Sequence, residues 1–375
     1  MLHMNPRRRL HISILALLTS VGAMAAPKSE VPIATGVTFV IAVSNAPEHP
    51  GVRDRVDTAH GDYETIVTIT SVEPDGVSQS AFIDAFDGKG VRRQVTVSRR
   101  VRRNDLATAS LQVLGFRSSD PPIIEGTTSL GPSRAIVDAL IQGRRSAYSF
   151  RNFADEPIVS GVLDRDDKPI AFPVLINGQR VDLEAIRSTG QLSVSGRSRP
   201  FELVVFNDPL HPIALRIAWG ARGGGFPFKP EFAREVVRID LPAQRKLTLD
   251  KALEDECRAE VPGIYFDFDQ ATLKVQSRAA LEDIAGVLRR RPQQRLRVEG
   301  HTDNVGGERY NDDLSARRAA AVLNALGSDF KLDVTTITAV GRGARQPVET
   351  NDTLAGRARN RRVELVRDCA KATPR

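Results

Sequence analysis

The stretch GHTDNVGGERYNDDLSARRAAAVLNAL, residues 300–326, gathers side chains whose types and spacing can do chemistry. Arg318 stands on the helical row of Leu314, Val322 and Ala325, a spacing that normally faces a core. A guanidinium in that row needs a partner. Asp303 lies fifteen residues earlier (318 − 303), in the acidic turn ahead of the helix. One reading is a buried Asp303–Arg318 ion pair that closes the loop. The other is a site with one fixed charge of each sign, suited to a zwitterion whose carboxylate meets the forked guanidinium. Arg317 offers a contrast, because Asp313 four residues before it gives it a partner on the solvated side. The helix is expected to begin near Asp312, with free N–H groups where an anion is favoured. Asn311 then either caps it or reaches a ligand. His301 is expected to be structural, since no second His, Cys or carboxylate stands at ligand spacing along the chain.

Other candidates carry less. RRQVTVSRRVRRND, residues 92–105, places six arginines around Val95 and Val97. It reads either as a contact for lipopolysaccharide phosphates or, preferably, as a solvated edge strand guarded by charge. GARGGGFPFKP lacks the lysine and hydroxyl of a phosphate loop and reads as a flexible turn. No G-x-S-x-G occurs, and the histidines show no triad order. These patterns point to a binding module and not an enzyme, with no cofactor and no metal implied.

The elements that must position these residues fall into two groups. From about 33 to 241, short alternating segments lie between turn residues, as in GDYETIVTITSVEPDG and in the two strands around Asn177-Gly178, a strong hairpin signal. One helix is expected over SRAIVDALIQG, with Ser133 at its start and Gly143 at its end. Residues 242–262 read as a linker or short helix. From Gly263 the order becomes βαβαββ: GIYFDF, a helix capped by Ser277, RLRVEG, the helix carrying Arg318, TTITAVGRG and RRVELVR. The fold class expected is α+β, a mostly antiparallel β domain at 33–241 followed by a domain at 263–367 with helices on a mixed sheet. At 375 residues, two domains are the natural division.

The first residues set the compartment. Arg7, Arg8 and Arg9 precede an uncharged apolar run that closes on Ala23-Met24-Ala25, the pattern of an export signal cleaved after Ala25. No cysteine follows at an acylation position. The net charge of +7 fits anionic envelope surfaces, and no aromatic-interleaved basic motif of nucleic-acid-binding families appears. In an oxidising compartment Cys257 and Cys369 would pair if the first and last strands around them are antiparallel neighbours.

IYFDFDQATL, GHTDNVGG, YNDDLSARRAAAV, GRG with Pro347, and GRARNRRVEL occur in this order over 263–367. Together they resemble the OmpA-like peptidoglycan-binding domain of Gram-negative envelope proteins. The resemblance implies noncovalent binding of peptidoglycan through the diaminopimelate group of the stem peptide, anchoring or organising the envelope. It implies that Asp303 receives the ammonium and Arg318 the carboxylate, with Thr302, Asn311, Asn360 and Arg362 as further candidates. It implies a periplasmic location, associated with the outer membrane or with other envelope proteins as partners. Two rivals stand beside it: an outer-membrane barrel tethered to the wall, which aromatic scarcity and scattered charge disfavour, and a wall hydrolase with its site in the N-terminal half.

Overall fold

The computed structural model describes residues 31–45, 62–86, 92–220, 225–228, 230–266 and 270–368. The export signal at 1–25, Cys369 and part of the glycine-rich turn at 220–230 lie outside the described residues.

Among the described residues the first sheet has thirteen strands. They are β1 (Thr38–Asn45), β2 (Asp62–Glu73), β3 (Gly76–Phe86), β4 (Arg92–Arg102), β5 (Leu111–Val113), β6 (Thr127–Thr128) and β7 (Ser146–Arg151). Then follow β8 (Val159–Arg165), β9 (Ile170–Ile176), β10 (Gln179–Val194), β11 (Arg197–Phe206), β12 (Ala214–Trp219) and β13 (Phe232–Asp240). Helices α1 (Arg103–Thr108) and α2 (Arg134–Ile141) interrupt them. The spatial order is β4-β3-β2-β1-β13-β12-β11-β10-β8-β7-β5-β6, and β9 pairs with both β10 and β13, closing β9 to β13 into a ring. Pairing is antiparallel except for β9 with β13 and β5 with β6 and β7. Among the described residues the sheet keeps two ends, at β4 and β6.

Local chemistry accounts for several of these elements. Asn177 and Gly178 both take positive φ, 50° and 81°, as a two-residue turn matched to strand twist requires. The Asn177 side chain also donates to the Leu241 carbonyl and accepts from its N–H, tying the hairpin to the end of β13. Helix α2 starts after Ser133, and Gly143 has φ 72° just past its end. The arginine-rich β4 does form the sheet edge, but Arg99 is not solvated. It is 2% exposed, pairs with Asp120 at 3.1 Å and lies over the Phe116 ring. Burial lowers its pKa to about 10. Strand alternation turns Arg99 inward, whereas Arg100 reaches Glu73 and Asp75 at the surface.

The second sheet has the order β14 (Arg258–Glu260), β17 (Val363–Arg367), β15 (Leu296–Gly300), β16 (Ile337–Gly341). β15 and β16 are parallel, and the other two pairings antiparallel. Helices α3 (Pro242–Asp255), α4 (Arg278–Arg290) and α5 (Glu308–Ser328) send Leu249, Leu253, Ile284, Leu288, Val322 and Leu326 into one core with Leu296, Val298, Val363 and Leu365. A short helix α6 (Leu354–Asn360) precedes β17. Segment 242–262 thus belongs to this sheet's packing through α3 and β14.

The first strand of this sheet is β14; the described part of GIYFDF, residues 263–266, is not one of its strands, and Asp267 and Phe268 lie outside the described residues. Phe266 makes only an isolated bridge to Leu273, and the chain turns at Gly263, φ 83°, after β14. Ser277 takes the place of a neighbouring strand: its hydroxyl accepts from Tyr265 N at 2.8 Å and donates to Tyr265 O at 2.9 Å. That use explains why the Ser277 side chain makes no cap bond to α4.

The two sheets meet along an apolar seam. Val40 and Ala42 of β1, Ile66 of β2 and Val237 of β13 pack against Tyr265 and Ala358. Around it, Tyr265 Oη donates to Asp240, Arg180 pairs with Glu349 at 2.7 Å, and Lys274 Nζ lies 4.2 Å from the Phe82 ring centre. The seam explains why β2 is apolar on both faces: Val67 and Ile69 enter the sheet's own core, and Ile66 enters the joint. Ile66→Ala should destabilise the full chain by about 2 to 5 kcal/mol, the usual cost of truncating a buried Ile, seen as a lower midpoint in urea unfolding. An unchanged midpoint would show that the seam carries no stability.

Candidate functional site

The site is built at the carboxyl end of β15, where the chain runs on through His301, Thr302 and Asp303. Gly300 and Gly341, register partners across β15 and β16, let α5 approach the strand ends closely. A Cβ on Gly300 would lie 2.4 Å from the Ser315 carbonyl, and one on Gly341 2.7 Å from Ser315 Oγ. Ser315, fully buried, accepts from Gly343 N at 2.9 Å, so helix and strand are locked at this end.

Helix α5 begins at Glu308 after Gly307, a turn earlier than expected, and Asp312 lies inside it. Asn311 is therefore not the cap. Its side-chain amide donates to the Val305 carbonyl at 3.1 Å, pinning the 303–307 loop to the helix.

Asp303 is 8% exposed. One carboxylate oxygen accepts from Val305 N at 3.0 Å, and the other from Arg361 Nη1 at 2.5 Å. The second Arg361 nitrogen donates to Glu64 of β2. Arg361, just past α6, thus links the site to the first sheet. Burial alone would lower its pKa, but Glu64 and Asp303 outweigh that and raise it. Burial alone would raise Glu64, but Arg361 overcomes it, with help from Arg238 and Arg318, and the carboxyl titrates below its usual range. Arg318 is half-buried on α5, with its guanidinium 5.0 Å from the Phe266 ring centre and Nε donating to the Gln270 carbonyl at 3.0 Å. Arg317 pairs with Asp313 at 2.8 Å on the exposed side.

The Thr302 hydroxyl is buried beside Asp303 and has no hydrogen-bond partner among the described residues. Asn360 is different. It is fully buried, its oxygen accepts from Val348 N and Glu349 N, and its nitrogen donates to Glu349 O and Asn351 Oδ1. The whole amide is spent on holding the 348–351 loop. Arg362 is not a solvated strand arginine but is buried, donating to Glu364 at 2.6 Å and to the Gln346 carbonyl. These two candidates shape the site from below.

Under the site lies an ionic cluster that chain spacing does not reveal. Register brings Glu299 of β15 opposite Glu364 of β17, with His301 Nε2 3.6 Å from Glu364. Two carboxylates therefore do stand around His301, at a closeness that a metal ion could use. Arginines already supply the positive charge. Arg342 reaches Glu299 at 2.5 Å, Arg297 at 3.2 Å, and Arg258 reaches Glu364 at 2.7 Å beside Arg362. Burial by itself would raise Glu364, but His301 and Arg362 bring it down to about 2. Burial lowers His301 and keeps it neutral.

Residues 265–361 match the model of the OmpA family. These residues form an OmpA family domain. Outer membrane porin F of Pseudomonas aeruginosa is 43% identical over 101 residues, 27% of this chain and 29% of that protein. Outer membrane protein A of Bordetella avium is 43% identical over 101 residues, 27% of this chain and 52% of that protein. The chain thus spans about a third to a half of the length of these relatives. Among solved structures, the peptidoglycan-associated lipoprotein from Burkholderia pseudomallei is 36% identical, covering 28% of this chain and 88% of that one, with a TM-score of 0.26.

The OmpA family domain should be acid-sensitive through its ionic cluster. Glu364 has a folded pKa near 2 against an ordinary 4.5, so its contribution is complete above pH 4.5 and is lost as pH falls toward 2. His301, lowered from 6.5, adds a loss that begins below pH 6.5, in the same direction. Glu364→Gln should cost about 3 to 5 kcal/mol at neutral pH by stranding buried guanidinium groups. It should also flatten the melting-temperature profile between pH 4.5 and 2, and a profile as steep as that of the wild type would contradict the assignment.

Proposed function

We propose that this protein binds peptidoglycan noncovalently in the Gram-negative envelope through residues 263–367, by holding the diaminopimelate group of the stem peptide. The observation that carries the reading is Asp303, a buried carboxylate just ahead of α5, the helix that carries the half-buried Arg318. Diaminopimelate ends in an ammonium and a carboxylate on one carbon, and a site of this kind presents one charge to each. Asp303 takes the ammonium, and Arg318 takes the carboxylate through its planar fork. The orphan Thr302 hydroxyl supplies a further polar contact, and Asn311 holds the loop that carries Asp303. Asn360 and Arg362 position the site without touching the ligand.

The OmpA family match supports this reading, and the relatives named as outer membrane proteins support an envelope location. Residues 1–25 act as the export signal. The protein is a binding module, and the thirteen-stranded sheet is carried alongside it through the seam.

Either Asp303→Ala or Arg318→Ala should weaken binding to purified sacculi by about 2 to 5 kcal/mol, the cost of truncating one partner of a desolvated charge pair. Arg317→Ala should bind as the wild type does. Since Asp303→Ala also strands Arg361, melting is measured beside sedimentation with sacculi and titration with free diaminopimelate. Two pocket variants that melt early yet sediment with sacculi like the wild type would place wall binding elsewhere.

Export further implies a Cys257–Cys369 disulfide. β14 and β17 are antiparallel neighbours, and Arg367 N donates to the Cys257 carbonyl at 2.9 Å, two residues before Cys369 in the sequence. The cross-link should stabilise the domain by roughly 4 to 5 kcal/mol in the chain-entropy picture. Thiol labelling of exported, denatured protein without reductant should find no free thiol, and two labelled cysteines would refute the pairing.

A further inference from the structure

Glu64 belongs to the first sheet, yet its carboxylate ends in the site of the second. It lies on the same face of β2 as Ile66, the residue that enters the seam, so docking of the sheets brings it there. It receives a hydrogen bond from Arg361, whose other nitrogen holds Asp303. Arg318 is near enough to act on the same carboxylate electrostatically. A guanidinium therefore already stands against Asp303, where a bound ammonium would stand, and Glu64 holds it there. The arrangement is not sealed: the Glu64 and Arg361 side chains are 32% and 26% exposed, so the pair can exchange with something from solution.

We propose that the Arg361–Glu64 pair is an internal stand-in for a zwitterionic ligand, so that docking of the first sheet competes with engagement of the cell wall. This rests on the wall-binding reading above. A ligand ammonium arriving at Asp303 displaces the Arg361 guanidinium that Glu64 holds there, and a ligand carboxylate arriving at Arg318 meets the like charge of Glu64. Glu64 and Arg361 thus set the affinity of the site without being its ligands. The fraction of molecules with the pair released scales the apparent affinity. The ion pair at the rim is worth little, because solvent screens it and ordering two long side chains offsets it. The brake is accordingly weak, and a wall polymer presenting many copies of the group overcomes it.

The test uses the full chain and free diaminopimelate, followed by calorimetric titration, with melting recorded for each variant. Glu64→Gln keeps shape and removes charge, and it should tighten binding about two- to fivefold, the scale of one partly exposed ion pair. Glu64→Ala should give the same gain, which guards against an effect peculiar to the amide. In an Asp303→Ala background the gain should vanish. If the Glu64 variants bind equally or more weakly while Asp303→Ala loses binding, the competition is refuted and the wall-binding reading stands. If Asp303→Ala binds like the wild type, the wall-binding reading fails and the competition fails with it.

Discussion

The buried charges beneath the site are the constraint to which the rest of the second sheet answers. Glu299 and Glu364 face each other across β15 and β17 on the side of the sheet opposite the helices. Leaving either unpaired there would cost several kcal/mol. Arg258 from β14, Arg297 from β15, Arg342 after β16 and Arg362 before β17 all converge on them. All four strands are thereby tied at one place. The register that pairs these charges also fixes where β15 ends, and hence where Thr302 and Asp303 emerge. Such a cluster need not stabilise the fold more than apolar packing would, but it penalises a one-residue slip of β15 against β17 heavily, because a slip would separate the carboxylates from their arginines.

The joint between the sheets follows a different logic. Its ion pairs, Arg180 with Glu349 and Arg361 with Glu64, are partly exposed and worth at most about 1 kcal/mol each. The apolar contacts of Ile66, Val40, Val237 and Tyr265 are nearly sealed from water, and burying one such side chain is worth about 1.5 to 3 kcal/mol. Apolar area therefore holds the two sheets together, and the ion pairs choose their orientation. Glu64 is delivered to the site by packing, not drawn there by charge.

What could be read from the residues was what depends on local chemistry. The Asn177-Gly178 turn, the helix between Ser133 and Gly143, the edge position of the arginine-rich strand and the mixed sheet with helices on one face all follow from short-range rules. Arg318 stands out in the sequence as an arginine needing company in an apolar row, and in the fold the Phe266 ring lies beside it, an apolar surface that suits a guanidinium's flat face. Residues whose roles depend on register were hidden. Nothing in the spacing of Glu299, His301 and Glu364 says that they meet, and nothing near Glu64 says that it reaches Arg361, 297 positions away. The misplaced first strand has the same origin: GIYFDF is apolar enough for a strand, but β17 is already paired on both sides, by β14 and β15.

Arg361 and Arg362 show how one chain position separates holding from releasing. They are adjacent and chemically identical, and between the end of α6 and the start of β17 their side chains go to different partners. Arg362 turns to the floor, where its side chain is 1% exposed, its Nε meets Glu364 two residues on, and water cannot compete. Arg361 turns to the rim, where its side chain is 26% exposed and its bonds to Asp303 and Glu64 can be traded for others. A buried ion pair is costly to break and makes a good strut; a wet one exchanges readily and makes a good latch. On the proposed wall-binding reading, a site that keeps its shape and lets its ligand in needs one of each. The RR dipeptide supplies them because the floor beneath holds Arg362 and leaves Arg361 at the rim.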